Sequence, residues 1–172
     1  TEIDRYVTYN TVDKAWTFGN LARSAWVDRR GRSFPIAASP GDRRLYEHDN
    51  GQDDGENNTG ITAFDESSDL IMGQGETFQS VPRLRPELSF NGSEADDPSA
   101  TLTLKARNFP GANCDQAEAA AVTATQTVDV EQFTKQSNVR LRGRAIAVRV
   151  ESSDLGTQWR FGVPMIEVRP DG

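Results

Sequence analysis

The chain contains one histidine, His48, and a carboxylate follows it at Asp49. A carboxylate can orient an imidazole that acts as a general base, but such chemistry also needs a nucleophile and groups that stabilise the transition state. The residue spacing around His48 supplies neither. We therefore expect His48 to lie at the surface or at a strand end, and we predict no catalytic residue and no enzymatic activity.

Cys114 is the only cysteine and follows the turn-forming segment 110–113. Its thiol would be a nucleophile only as a thiolate beside a base, and the sequence indicates no such base. A single cysteine excludes an internal disulfide and a cysteine-rich zinc site. We predict a loop cysteine and no cofactor.

Two acidic segments carry carboxylates that could bind Ca²⁺. Their members are Asp49, Asp53, Asp54 and Glu56 in the first and Glu94, Asp96 and Asp97 in the second. The first spacing does not match the D-x-[DN]-x-[DN]-G-x₅-E calcium loop, and we interpret the second in the same way. No pair of acids is singled out for glycoside hydrolysis. Solvated acidic loops explain both segments, and we predict no metal.

The clearest polar pattern is a basic stripe, Arg140, Arg142 and Arg144, with a spacing of two residues. In an extended segment these arginines lie on one face of a strand, with apolar or small residues on the other. Such a stripe could bind phosphates, but the segment has no interleaved aromatic residues and the chain is acidic. We favour pairing with carboxylates or with a neighbouring subunit, and we assign Arg149 and Arg160 to the same class of interface or ion-pair residues.

The charge balance argues against general affinity for nucleic acid. Nineteen Lys and Arg stand against 26 Asp and Glu, a net charge of −7, and only three of the basic residues are lysines. An acidic chain does not neutralise phosphates in bulk, whereas arginine suits bidentate ion pairs and interfaces. Hydrophobic residues make up 35% of the chain. This fraction favours a thin β-sandwich with polar loops, and no apolar run approaches the length of a membrane span.

The densest β-signal lies in segment 140–169. Apolar residues alternate with polar or small ones over 145–151 and again over 159–161, the period of half-buried strands. Turn-forming residues at 152–157 predict a hairpin between these runs, so that the segment forms a β-meander. With a clean strand at 101–107, these runs supply the predicted core, which is Leu102, Leu104, Ile146, Val148, Val150, Trp159 and Phe161.

The remaining patterns divide the chain into three parts. Residues 1–50 predict two hairpins that resemble parts of a propeller blade. Residues 51–60 contain no apolar residue and predict an acidic loop that separates the regions. Residues 61–172 carry short strands with turns about 8 to 12 residues apart, which predicts a sandwich. The expected fold class is therefore all-β, an antiparallel β-sandwich with flanking propeller-like β-hairpins.

An alanine-rich run at 117–124 is open to two interpretations. It forms a helical turn, or it is a loop that enters the next strand. Because isolated short helices are marginal, the loop is favoured.

A series of short motifs follows along the chain. They are Tyr-Asn-Thr at 9–11, Ala-Trp-Thr-Phe-Gly at 15–19, Arg-Ser-Ala-Trp at 23–26, Pro-Ile-Ala-Ala at 35–38, Leu-Tyr-Glu-His-Asp-Asn-Gly at 45–51, Leu-Thr-Leu-Lys-Ala-Arg-Asn-Phe-Pro-Gly at 102–111, Arg-Gly-Arg at 142–144, Arg-Val-Glu-Ser at 149–152, Trp-Arg-Phe-Gly at 159–162 and Glu-Val-Arg-Pro-Asp-Gly at 167–172. In this order the motifs resemble the C-terminal part of the tail nozzle proteins of short-tailed phages, of the tail tubular protein B or packaged DNA stabilisation type. The resemblance covers most of the chain except the loops at 52–60 and 112–126.

The resemblance implies a virion structural protein and not an enzyme. Its expected partners are other phage tail subunits and copies of itself in a ring, a hexamer in the family, through which DNA passes without tight or specific binding. Because the chain starts at Thr1 without a methionine, we expect it to be a piece of a longer polypeptide.

The rival from another class is a carbohydrate-binding β-sandwich. In that case exposed rings of Trp16, Trp26 or Trp159 would stack on sugar. Exposed coplanar rings would favour this rival, whereas buried rings would favour a structural role.

Overall fold

The computed structural model describes residues 3–12, 14–54, 59–109 and 124–171. The described residues contain no helix, and every strand pair is antiparallel, so the predicted all-β class is confirmed. It follows that no described helix could cross a membrane. Cys114, residues 117–123 and Glu56 lie outside the described residues.

The described strands number seventeen. In chain order they are β1 (Arg5–Asn10), β2 (Ala15–Asn20), β3 (Ala25–Val27), β4 (Ile36–Ser39), β5 (Arg44–Glu47), β6 (Asp53–Asp54), β7 (Thr59–Gly60), β8 (Ala63–Glu66), β9 (Leu70–Ile71), β10 (Gln79–Arg85), β11 (Leu88–Ser89), β12 (Ser99–Arg107), β13 (Ala124–Glu131), β14 (Ser137–Gly143), β15 (Ala145–Ser152), β16 (Arg160–Phe161) and β17 (Met165–Pro170). They belong to two compact units, an N-terminal unit Thr1–Gly51 and a C-terminal unit Gln52–Gly172.

The N-terminal unit has two small sheets and little buried surface. Strands β1 and β2 form a hairpin, and β3, β4 and β5 form a three-stranded sheet in that order. Hydrogen bonds from the side chains of Ser39 and Tyr46 to Asp42 hold the turn between β4 and β5, and they lower the pKa of Asp42 to about 2. Ala37 and Ser39 are buried in this sheet, whereas every residue of β1 is exposed.

The C-terminal unit is built on two larger sheets. One has the order β13-β12-β15-β8, with β9 also paired to β15, and the other has the order β14-β10-β17. Two short pairs, β11-β16 and β6-β7, complete it. Central strand β10 has an irregular register between Val81 and Arg83 on its β14 side. Pro82 lies at this bulge, where its missing N–H costs the ladder least.

Inward-facing residues of both larger sheets form one hydrophobic cluster. Leu102 and Leu104 of β12 lie opposite Val150 and Val148 of β15, and all four side chains are buried together with Ile146. The first half of β15 is buried on both sides, because the alternating positions there also carry buried alanines. The cluster also contains Met72, Val81, Leu84, Phe90, Ala100, Ala106, Val130, Val139 and Leu141.

Trp159 and Phe161, which were predicted to be core residues, bury less of their surface than the members of the hydrophobic cluster do. Both are half-buried and pack against the cluster from its edge. Phe161 lies in β16, which pairs with β11 alone, so its outer side has no neighbouring strand to cover it.

The predicted β-meander over segment 140–169 is wrong. Strand β14 pairs with β10, β15 with β12 and β8, β16 with β11, and β17 with β10. The chain changes sheets between β14 and β15, where the Arg144 N–H donates to the Arg107 carbonyl at 2.8 Å. A Cβ on Gly143 would lie 3.0 Å from the Cβ of Ala106, so this close crossing favours glycine.

The turn-forming segment 152–157 forms hydrogen bonds with residues that are distant in the chain. The Gly156 N–H donates to the Asp53 carboxylate at 2.7 Å, and the Gly156 carbonyl accepts from the N–H groups of Glu94 and Ala95 at 2.8 and 3.1 Å. Segment 152–157 is therefore not a hairpin turn. Asp53 belongs to β6, which pairs with β7, so the predicted acidic loop 51–60 includes a short two-stranded ladder attached to the C-terminal unit.

Candidate interaction surfaces

The predicted basic stripe is partly retained on β14. Arg140 and Arg142 are exposed, and the residues between and beside them are buried, as alternation on a strand requires. Arg144 lies beyond the strand and is half-buried. The Cζ atoms of Arg142 and Arg144 lie 3.9 and 4.8 Å from the centre of the Phe78 ring, so both guanidiniums form cation–π contacts with one aromatic side chain.

A groove of about 850 Å³ runs along this side of the β14-β10-β17 sheet. Ser80 in the central strand pairs with Arg142 on one side and with Arg169 on the other. Paired residues of neighbouring strands project from the same face, so two arginines flank one small side chain. Arg83 and Arg140 also line the groove. We call this surface the arginine groove and define it by Arg83, Arg140, Arg142 and Arg169.

The arginine groove has more positive than negative charge. Glu167 accepts from Arg169 at 2.6 Å and lies 3.2 Å from Arg83, while Arg142 contacts Asp171 at 2.7 Å. The hydrogen bond from Arg169 lowers the pKa of Glu167, and the charge of Arg83 adds to this effect. Arg140 forms no ion pair within the described part of the chain. Four guanidiniums against two carboxylates leave the groove at +2 in a chain of −7.

Arg149 lies instead in a largely buried ion-pair network on the outer face of the β13-β12-β15-β8 sheet. Its guanidinium contacts Glu66 at 3.2 Å and Glu151 at 2.8 Å, and Lys105 contacts Glu66 at 2.6 Å. Burial disfavours the charge of Arg149, but the hydrogen bonds that Arg149 donates to Glu151 and Glu66 outweigh this effect and raise the pKa of Arg149. Phe64 packs under the guanidinium at 4.1 Å. The contact between Arg149 and Glu66 joins strands β15 and β8, since the two residues lie directly opposite each other in the register.

The structure also contains a buried ion pair that the sequence did not indicate. Arg107 Nε lies 2.7 Å from Asp69 Oδ1, and the two side chains are only 2% and 10% exposed. The two residues are far apart in the chain, and no spacing in the sequence relates them. Removal of one partner from a buried ion pair is strongly destabilising.

Arg160 is exposed on β16, opposite Ser89, and has no ion pair among the residues described. The structure does not bring it into the arginine groove. It is therefore a solvent-facing cation, and it provides a reference for the groove residues.

His48 belongs to an aromatic and cationic cluster of the N-terminal unit. Arg23 Nε donates to His48 Nε2 at 3.3 Å, and the imidazole lies 4.7 Å from the Trp26 ring. Burial lowers the pKa of His48, and the charge of Arg23 adds to this effect, while Asp49 opposes it. Asp49 pairs with Arg29 at 3.3 Å. The described neighbours of His48 thus favour a neutral imidazole that accepts a hydrogen bond from Arg23.

The β1-β2 hairpin has one apolar face that no other described part of its unit covers. Val7 pairs with Phe18 and Tyr9 pairs with Trp16, so all four side chains project from one side. Their exposed fractions are 69%, 85%, 43% and 69%. Tyr9 and Trp16 contact each other, with ring centres 4.7 Å apart and planes tilted by 40°. We call this surface the hairpin face.

The second acidic segment forms an anchored loop in the C-terminal unit. Glu94, Asp96 and Asp97 are exposed, and Ala95 between them is half-buried. Backbone hydrogen bonds to the Gly156 carbonyl hold the loop, which we call the 94–97 loop. Over the described ranges, no three His, Cys, Asp or Glu side chains are grouped to hold a metal ion.

Comparison with known proteins adds no assignment. No protein-family model matches the chain, and no curated protein matches it. We therefore infer the function from the surfaces themselves and from the order of the motifs.

Proposed function

We propose that the protein is a structural subunit of a phage tail, of the nozzle type, located in the virion. Its partners are other tail subunits and copies of itself arranged in a ring, which is a hexamer in the proteins it resembles. The observation that carries the proposal is the hairpin face, a surface whose apolar side chains need a partner. The motif order supports the same conclusion.

The hairpin face has the physical properties of an assembly surface. An isolated two-stranded hairpin is marginally stable in water and needs a further strand or a packed layer. Val7, Trp16 and Phe18 are each more than two-thirds exposed. Full burial of one such side chain contributes about 1.5 to 3 kcal/mol, so a partner that covers this face gains several kcal/mol. Large exposed apolar patches of this kind mark protein–protein contacts.

The C-terminal unit suits the role of a rigid scaffold. Two sheets contribute to one hydrophobic cluster, and the β13-β12-β15-β8 sheet carries an ion-pair network on its outer face. This arrangement supports the finer proposal of a β-sandwich. The hairpins of the N-terminal unit are proposed to complete propeller-like blades with strands from elsewhere in the assembly.

The charges are compatible with a conduit for DNA. A channel that lets a polyanion slide should avoid the dense Lys and Arg contacts that make binding strong and salt-sensitive. The chain carries −7, and three of the four groove arginines are engaged with Glu167 or Asp171. We propose that DNA passes without tight or specific binding.

The proposal is tested by the assembly state of the full-length protein. Mass photometry and electron microscopy should show a closed ring, alone or with tail components. Serine at Val7 and Phe18 should reduce assembly, whereas serine at Thr8 and Thr17 on the opposite face of the hairpin should not. A full-length protein that stays monomeric and does not join tail components would contradict the proposal.

A carbohydrate-binding module is the second candidate, favoured by two exposed tryptophans. Trp16 is 69% and Trp26 is 52% exposed. Trp159, in contrast, packs against the core, and Trp16 and Trp26 are each tilted against a neighbouring ring. Glycan-array binding that is lost in Trp16→Ala would favour this candidate over the tail subunit.

A further inference from the structure

We propose that the arginine groove binds the 94–97 loop of a second copy of this chain, in a head-to-tail contact between C-terminal units. The inference deepens the proposed ring assembly by naming one of its contacts, and in that respect it rests on the proposed function. The groove and the loop each lack compensation for part of their charge.

The groove provides cations with the right chemistry. It carries a net +2, and Arg140 has no ion pair among the described residues. Guanidinium groups bind carboxylates through paired N–H donors, with more directional contacts than an ammonium group provides. Ser80 between Arg142 and Arg169 leaves room for an incoming side chain at the floor of the groove.

The 94–97 loop provides the matching anions. Glu94, Asp96 and Asp97 form no ion pair in the described part of the chain, and all three are exposed. The hydrogen bonds from Glu94 and Ala95 to Gly156 fix the backbone before a partner arrives, which reduces the entropy lost on binding. Glu94 and Asp96 are exposed on either side of the half-buried Ala95, so both carboxylates are accessible to a partner.

The two surfaces are different patches of one molecule. Arg142 and Arg169 lie beside Ser80 at the start of β10, whereas the 94–97 loop follows β11 and is bonded to Gly156. No described ion pair joins the groove to the loop within one copy. A contact between unlike patches is heterologous, so it repeats from copy to copy and produces a ring when the rotation closes.

A carboxylate partner fits the groove better than nucleic acid does. None of the described residues that line the groove is aromatic, and the nearby Phe78 ring already contacts the guanidiniums of Arg142 and Arg144. Tight duplex binding generally involves roughly six to ten phosphate contacts, and a groove with four arginines, three of them already paired, supplies too few.

A charge-swap experiment tests the contact. Arg140→Glu/Arg142→Glu reverses the groove, and Glu94→Arg/Asp96→Arg reverses the loop. We expect the unmodified chain to self-associate in sedimentation velocity at about 50 mM salt and to dissociate at about 1 M, where screening acts over about 3 Å. Each double variant alone should self-associate at least about tenfold more weakly than the unmodified chain. A mixture of the two variants should associate again, because a reversed groove then meets a reversed loop.

Arg160→Glu is the control, since it makes one arginine-to-glutamate change, half the charge change of the double groove variant, on an exposed arginine outside the groove. It should leave association unchanged, and circular dichroism should show that all variants fold. The contact is overturned if the mixture stays dissociated, if Arg160→Glu is as damaging as the groove variant, or if the chain is monomeric at low salt. Binding of duplex DNA that the groove variant abolishes would also overturn it, in favour of a phosphate site. Ring assembly of the full-length protein is measured separately, so the contact can fail while the proposed function stands.

Discussion

Val7 and Phe18 are direct cross-strand partners in the β1-β2 hairpin, and 69% and 85% of their surfaces are exposed. A cross-strand apolar pair contributes only about 0.2 to 1 kcal/mol, because most of each side chain still faces water. Covering the same two side chains with a partner would contribute more. On the proposed function, most of the hairpin's stability comes from a partner that covers this face.

Leu104→Ala should destabilise the C-terminal unit strongly. Leu104 is fully buried in the hydrophobic cluster, and removal of such a side chain costs about 2 to 5 kcal/mol. Trp159→Ala should cost less than the roughly 3 to 5 kcal/mol of a buried aromatic residue, because Trp159 is half-buried. Urea unfolding measures both changes. Val163→Ala, at a position 78% exposed, is the control and should stay within about 0.5 kcal/mol.

The strand pattern could be predicted from the sequence, but the strand partners could not. Alternation at Leu102 and Leu104, and at Ile146 and Val148, identifies which side chains share a face, because the period of a strand is local. It does not show that β15 lies between β12 and β8, since those partners are distant in the chain. The 152–157 turn illustrates the limit, because its composition predicted a hairpin while its hydrogen bonds go to Asp53 and the 94–97 loop.

For the candidate surfaces, too, the sequence predicted which residues share a strand face but not which residues from other strands lie beside them. The spacing of Arg140 and Arg142 on β14 was sufficient to place both on one exposed face. The carboxylates that partly neutralise the groove belong to β17 and the C-terminal segment, and only the folded sheet brings them there. Arg144 does not continue the stripe of Arg140 and Arg142, because strand β14 ends at Gly143 and the chain then crosses to the other sheet. Alternation along a strand does not predict this change of direction.

Glu66→Gln should destabilise the protein by about 1 to 3 kcal/mol, because it weakens two ion pairs of largely buried cations. Lys105 and Arg149 both contact Glu66, and their side chains are 16% and 15% exposed. Glu167→Gln is the matched control at a more open site, since the Glu167 side chain is 36% exposed and its partners Arg83 and Arg169 are 46% and 60% exposed. A pair at such a site contributes about 0 to 1 kcal/mol. Equal losses in the two variants, measured by thermal unfolding, would show that the shielding of the network adds nothing.

His48 should titrate below its ordinary value of 6.5, since burial and Arg23 disfavour its protonated form. A base whose pKa falls on folding contributes full stability above pH 6.5 and loses it as the pH falls from there through the folded pKa. NMR follows this single histidine without overlap. Arg23→Gln should raise the pKa of His48, and an imidazole that titrates at or above 6.5 would contradict the structure.

The protein should not bind duplex DNA tightly at either of two salt concentrations, about 50 mM and about 200 mM. Its net charge of −7 and the paired state of most groove arginines are the physical reasons. Fluorescence anisotropy with a labelled duplex gives the affinity. Micromolar binding that collapses at the higher salt and is lost in Arg140→Ala/Arg142→Ala/Arg144→Ala would show that the stripe is a DNA site.

The assembly state of the full-length protein is the most direct test of the proposal that neighbouring subunits of a tail ring cover the hairpin face. Mass photometry and electron microscopy should show a closed ring, and Val7→Ser/Phe18→Ser should reduce the ring fraction while Thr8→Ser/Thr17→Ser leaves it intact. The two variant pairs lie on opposite faces of one hairpin, so they separate contact from folding. A stable full-length monomer that does not join tail components would contradict the account, as would a ring that tolerates serine at Val7 and Phe18.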